Sequence, residues 1–290
     1  MNGAEFGIIF SVVAMFAWGF GDFLIQKSTR KIGVWDTLFF ITFTGFVVLT
    51  PFAIKNAGNL FGVGLFLFIS GGVVYFIASF LDLEALKIGK LDIVEPIWAF
   101  EIVSSVLLAF FILKERVSFL QTVFIIVLIL SLAFLSLKKF NFKLGRKFLL
   151  EKGVYIALLA AVVMGVANFL IGVGSRRVDP ITMKWGMDLF LMVFSFFFVI
   201  RGRKKRKFFK SLKKNIKVLT FMSLFDNVAW LAFGFAMVFA PISIAVAISE
   251  SYIIIAVLLG FFVNKEKLKL HQIIALIIAV ISAIYLATSI

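Results

Sequence analysis

Ten apolar stretches dictate most of what this chain can fold into. They run over Gly7–Gln26, Trp35–Ile54, Phe61–Leu83, Ile93–Leu113, Leu120–Leu137, Gly153–Val173, Ile181–Ile200, Val218–Phe239, Ile242–Phe262 and Gln272–Ser289. Each has about 18–22 residues, enough for a helix to cross a hydrocarbon layer about 30 Å thick. Closed membrane barrels give short alternating segments instead. The expected class is therefore an all-α integral membrane protein with ten transmembrane helices. Composition agrees, since 62% of the 290 residues are hydrophobic. A soluble domain of this length could not bury so much apolar surface.

The first stretch has no basic residue before it and is too long for a signal core, so it reads as a span. There is no cysteine, which excludes disulfides, thiolate catalysis and zinc–thiolate sites. The single histidine, His271, stands beside the tenth stretch and reads as solvated. No nucleotide-binding loop, H-E-x-x-H pair or nucleophile triad is present. The expectation is no enzyme, no cofactor, no catalytic residue and no metal site.

The formal charge of +15 would point to nucleic acid in a soluble chain. Here the basic residues flank spans, so topology and lipid contact explain them and no nucleic-acid partner is expected. The two richest runs are Arg201–Lys217 and Lys138–Lys152. Alternating the spans puts both on one side, with Lys27, Arg30, Lys31, Lys87, Lys90, Lys265, Lys267 and Lys269. The other side holds only Lys55, Lys114, Arg116, Arg176 and Arg177, with Lys184 at its edge. The positive-inside rule makes the rich side cytoplasmic and turns both termini outward.

The chain also repeats. Laying Lys90–Leu137 on Pro241–Thr288 pairs Lys114 with Lys265, Glu115 with Glu266 and Gln121 with Gln272. WGFGDFLIQKSTRKIG, from Trp18, pairs with MGVANFLIGVGSRRVD, from Met164, so that Gly19 meets Gly165, Asp22 meets Asn168 and Arg30 meets Arg176. Each half holds five spans, an odd number, so the second is upside down relative to the first. Inverted repeats of this kind build secondary transporters, with the site at the repeat interface near the midplane. The KER and KEK triplets at Lys114 and Lys265 fall in the loop between the fourth and fifth spans of each half. They are expected to be short solvated turns carrying a charge pair.

With WGFGDFLIQK in the first span, EPIW opening the fourth, LLAFFILKERVSFLQ after it and the duplication of the whole, the chain resembles the EamA type of the drug/metabolite transporter superfamily. The resemblance implies a ten-helix permease of a prokaryotic cytoplasmic membrane that moves small metabolites, amino acids or toxic compounds by alternating access, without ATP. It implies EamA-like repeats over 1–140 and 150–290. It further implies a cavity lined by the first, third, fourth, sixth, eighth and ninth spans, with the fifth and tenth peripheral. Such members usually keep both termini in the cytoplasm, and the loop charges of this chain argue the reverse.

A charge near the bilayer centre costs on the order of 2.5–3.5 kcal/mol on insertion scales, so intramembrane acids are functional candidates. Glu101 lies near the middle of the fourth span and Glu250 near the middle of the ninth. The repeat register puts Glu101 on Tyr252 and Glu250 on Ala99, within two residues of equivalence. The two carboxyls should approach the pseudo-twofold axis from opposite halves; the bland alternative is a protonated carboxyl gluing two helices. Asp226 is central in the eighth span, with Trp230 one turn on. Such a pair can hold a cation through charge and ring. Asp22 and Asn168 are repeat mates near span ends; Trp18 lies one turn from Asp22, and Trp98 one turn before Glu101. Lys184 and Asp188, four apart, read as a mutually neutralising pair with Lys184 reaching for the membrane edge. Asp92 and Glu95 stand where a helix N-terminus favours anions, and Pro96 and Pro241 fall in first turns.

These features predict a secondary transporter whose substrate or proton pathway uses Glu101, Glu250, Asp226, Trp98, Trp230, Asp22, Asn168 and Trp18. The partners are a small-molecule substrate, membrane lipids and protons coupled through Glu101 or Glu250. The net negative lining favours an amino acid, amine or organic cation over an anion. The alternatives are a flippase for a lipid-linked metabolite, with a cavity open sideways to lipid, and a non-enzymatic scaffold. Thermal stabilisation by an amine or amino acid, rather than by a lipid headgroup, separates the first two readings.

Overall fold

The computed structural model describes residues 3–88, 97–137, 153–202, 205–263, 265 and 267–289. These form α1 (Gly3–Ile32), α2 (Val34–Ala53), a 3-10 turn (Ile54–Leu60), α3 (Val63–Ile88), α4 (Glu101–Leu113) and α5 (Phe119–Ser136) in the first half. The second half gives α6 (Val154–Arg177), α7 (Pro180–Gly202), α8 (Lys205–Phe239), α9 (Ile242–Ser249), α10 (Tyr252–Val263) and α11 (Leu270–Thr288). Among the described residues, nine stretches are long and apolar enough to cross a membrane, with α9 and α10 counted as one, and α4 is a shorter apolar helix. The chain is an all-α multi-pass membrane protein.

The helices pack as inverted repeats require. α1 lies on α8 and α3 on α6, so the first and third spans of each half embrace the third and first of the other. α2 pairs with α7, and α5 with α11, each with its own counterpart. Exchanging the halves leaves this set of neighbours unchanged. Close approach needs small residues, because lipid supplies little hydrophobic force between helices. A Cβ on Gly19 would collide with Ile255, and one on Gly165 with Ser104 and the Glu101 carbonyl. Ile255 and Ser104 are themselves mates in the register that pairs Glu115 with Glu266. Phe66, Phe111, Phe119 and Phe262 point outward, toward lipid.

Helix ends repeat as well. α4 stops at Lys114, whose φ of 53° is left-handed, and Lys265 repeats it at 55°. Such a residue ends a helix by turning the chain so that its amide can bond the last carbonyls. Beyond it, Ser118 caps α5: its oxygen accepts from the Gln121 amide at 3.2 Å, and Gln121 accepts from the Ser118 amide at 2.8 Å. At α11 Gln272 accepts in the same way from the Lys269 amide at 3.1 Å. Gln121 also donates to the Ser289 carbonyl, and Gln272 to that of Leu135, so each repeat's fifth span grips the far end of the other's.

Three expectations change. The fourth and ninth spans are not continuous: α4 begins only at Glu101, after a turn at Ala99–Phe100, and Glu250–Ser251 separates α9 from α10. The basic run after Arg201 is not a loop throughout, because α8 starts at Lys205 and carries Lys213, Lys214 and Lys217. Pro241 precedes the first turn of its helix as the N-cap. Asp92, Glu95, Pro96, Glu266 and the 138–152 run lie outside the described residues, as do the side chains of Asp22 and Arg30.

Candidate functional site

The site begins with the two breaks. In the fourth span the Phe100 amide donates to the Ile97 carbonyl at 3.0 Å, and Val103 to Phe100 at 3.1 Å. In the ninth, Ser251 donates to Ile248 at 3.1 Å and Ile254 to Ser251 at 2.9 Å. These are i to i−3 bonds at repeat-equivalent residues, a local tightening that often marks a hinge inside a long helix. The turns aim Glu101 and Glu250 at each other. Their carboxyls lie within reach of each other, and Asn168 Nδ2 donates to Glu250 Oε1 at 3.1 Å. All three residues are buried, Asn168 almost completely. Ser105, one turn after Glu101, donates to the Gly165 carbonyl at 2.9 Å and ties α4 to α6.

An aromatic group adjoins the carboxyls. Tyr252 faces Trp18 at 6.2 Å between ring centres, and Trp18 meets Trp230 edge-on at 5.0 Å. Tyr75 meets the other flank of Trp230 at 4.9 Å. Edge-to-face geometry at such distances is the favoured aromatic contact. Asp226, one turn before Trp230 on α8, is buried.

A second polar cluster lies beyond the rings. Lys184 donates to Asp188 Oδ1 and, at 2.8 Å, to Asn227 Oδ1. Asn227 in turn donates to the carbonyls of Ile41 and Ser223. Gly45 makes room for this on α2, since a Cβ there would overlap both Asp188 and Asn227. A cavity of about 10 Å³ lies between the cluster and the rings, lined by Tyr75, Trp230, Lys184, Asp188, Ser175 and apolar neighbours. That volume admits one water at most, so the described residues hold the centre closed.

Sequence reasoning placed these residues unevenly. Glu101, Glu250, Asn168, Trp18, Asp226 and Trp230 line one polar and aromatic band through the bundle. Trp98 does not join it. The turn at Ala99–Phe100 breaks the helical face it would share with Glu101, and its side chain packs against the cluster of Ala85, Ile97, Val154, Ala157 and Ala161, with a buried indole N–H that has no partner among the described residues. Asp22 stands on α1, in the turn after Trp18. Lys184 and Asp188 do pair, but Lys184 does not reach the membrane edge; its side chain is 10% exposed. Tyr75, Tyr252, Ser105 and Gly45 were missed, each an ordinary residue in an apolar run with no signal of its own.

The KER turn is more than solvated. Glu115 is largely buried and accepts from the amides of Ile242 and Ser243, at 2.9 and 3.1 Å, and from the Ser243 hydroxyl at 3.0 Å. It thus caps α9, where the helix dipole favours an anion. Arg176 pairs with it at 3.0 Å and donates to the carbonyls of Met237 and Ala240 at the end of α8. One carboxylate and one guanidinium fasten loops from both halves at the membrane face.

Two inverted five-helix repeats, with acids from both halves meeting at broken helices, make this an inverted-repeat membrane protein, an architecture that secondary transporters use. The EamA-like transporter family matches the chain twice, over residues 5–137 and 151–288. The chain therefore belongs to the EamA-like transporter family, within the drug/metabolite transporter superfamily. The family consists of transporters rather than enzymes. One solved structure, described only as a crystal structure of a protein, aligns over 98% of this chain and 96% of its own with a TM-score of 0.75 at 16% identity. That likeness speaks to the fold alone. No curated protein sequence matches.

Proposed function

We propose that the chain is a secondary active transporter that carries a small metabolite, an amino acid, amine or organic cation, across the cytoplasmic membrane by alternating access. Residues 1–140 and 150–290 act as the two units that rock about the site. The termini face outward, on the strength of the loop charges. Glu101 and Glu250 form the shared proton and substrate station, Asp226 adds negative potential, and Trp18 and Trp230 supply the ring surface.

One observation carries this reading: Glu101 and Glu250, from opposite halves, meet at matched interruptions of the fourth and ninth spans. A rigid scaffold gains nothing from breaking two buried helices at equivalent points beside acids. In a carrier the same arrangement lets each half bend while the carboxyls exchange a proton for a substrate. Purified protein in liposomes, given a metabolite panel with and without a pH gradient, tests it. Wild type should accumulate a cationic or zwitterionic compound in response to the gradient. Glu101→Gln combined with Glu250→Gln should abolish that response, and an unchanged response would remove the carboxyls from the mechanism.

A further inference from the structure

We propose that Lys184 and Asp188 read the two charged ends of a zwitterionic substrate, trading their bond to each other for bonds to its carboxylate and its ammonium group. This rests on the carrier reading and names the substrate class within it. The pair is a built site. Both side chains are at least nine-tenths buried. Two of the three lysine donors engage Asp188 and Asn227, and the third has no partner among the described residues. Asp188 Oδ2 is buried without a hydrogen bond among the described residues. Both residues line the small cavity, and Tyr75 and Trp230 form its facing wall.

Charge bookkeeping selects the class. A buried pair separated by a simple cation leaves Lys184 stranded, and one separated by a simple anion strands Asp188. Stranding one member of a buried pair is strongly unfavourable. A molecule with both charges replaces both partners in one step and leaves neither bare. The rings opposite then accept a flat or apolar side group. The cavity is too small for such a ligand as it stands, so the aromatic wall must part to admit it.

Binding of three probes to the full-length protein in detergent tests the proposal: L-phenylalanine, 2-phenylethylamine, which lacks the carboxylate, and 3-phenylpropanoate, which lacks the amine. Wild type should bind the zwitterion at least tenfold tighter than either single-charge analogue, a result that needs no variant to fold. Lys184→Met with Asp188→Asn removes both charges together, leaves no lone buried ion, and should erase that margin. Lys184→Arg should keep it. The proposal is overturned if the amine binds as tightly as the amino acid, if none of the three binds, or if the margin survives in the double variant. Should the amine be accumulated by wild-type liposomes while the margin is missing, the carrier reading stands and this inference falls. Should no compound of a broad panel be moved, the carrier reading itself fails.

Discussion

The two polar clusters of the bundle differ in symmetry. The setting of the Glu101–Glu250 pair is built twice over: matched helix breaks, matched 3-10 hydrogen bonds, and matched glycines, Gly19 and Gly165, that admit the neighbouring helix, with the two acids themselves two residues apart in register. The Lys184–Asp188–Asn227 cluster is built once. It belongs to α7 and α8, while α2, the counterpart of α7, contains no basic residue at all. Motion shared by two inverted halves demands symmetric parts, since each half must make the move that the other makes in reverse. Recognition of one asymmetric molecule makes no such demand. The difference fits the proposal above, in which the Glu101–Glu250 pair serves the transport movement and the Lys184–Asp188 cluster selects what is carried.

The most severe way to break the asymmetric cluster is Lys184→Met alone. It leaves Asp188 charged and buried without its cation, and stability should fall by about 3–5 kcal/mol. Adding Asp188→Asn should recover most of the loss, as thermal unfolding of the single and double variants would reveal. If the single change is silent, the cluster is not the dry ion pair described here. A gentler test bears on the symmetric part. Gly19→Ala and Gly165→Ala each force a methyl into an occupied contact, for an expected loss of about 1–3 kcal/mol. The two penalties should be similar, and a large inequality in unfolding temperature would show that the halves do not pack as mates.

Glu115→Ala removes the acceptor for two α9 amides and the partner of Arg176. The expected cost is about 1–2 kcal/mol, in the range of a lost helix cap. Because these bonds clamp only one membrane face, the variant should also shift the accessibility of cysteines introduced on that face, a clean readout in a chain without native cysteine. The smallest effect is expected of Ser118→Ala, about 1 kcal/mol. It makes the start of α5 resemble that of α11, where Lys269 stands in the serine's place. A loss much larger than this would mean that the first repeat depends on its cap in a way the second does not.

Much of this architecture was legible in the residues. The length of the apolar runs imposes helices that cross a membrane, and the recurring Lys-Glu and Gln positions expose the duplication because polar coincidences in apolar chains are rare. Glu101 and Glu250 could be paired for the same reason: an acid in mid-span is conspicuous. What escaped depends on geometry that an apolar pattern does not encode. A two-residue break such as Glu250–Ser251 leaves hydropathy unchanged, so the ninth span read as continuous. Trp98 read as a neighbour of Glu101 because a regular helix was assumed across Ala99–Phe100, the very turn that separates them. Glu115 read as solvated because its partners, the amides of Ile242 and Ser243, are backbone groups more than a hundred residues away. Lys184 read as reaching outward because lysine usually does; Asn227 and Asp188 give it a reason to stay.

The central claim is that Glu101 and Glu250 act as one unit supplied by two halves. A double-mutant cycle on the initial rate of gradient-driven transport tests this most directly, using Glu101→Gln, Glu250→Gln and the two together in liposomes. Groups that act as a unit are strongly non-additive. Each single change should lower the rate at least tenfold, and the double should be no slower than the worse single. Rates that multiply, or singles that transport like wild type, would contradict the account.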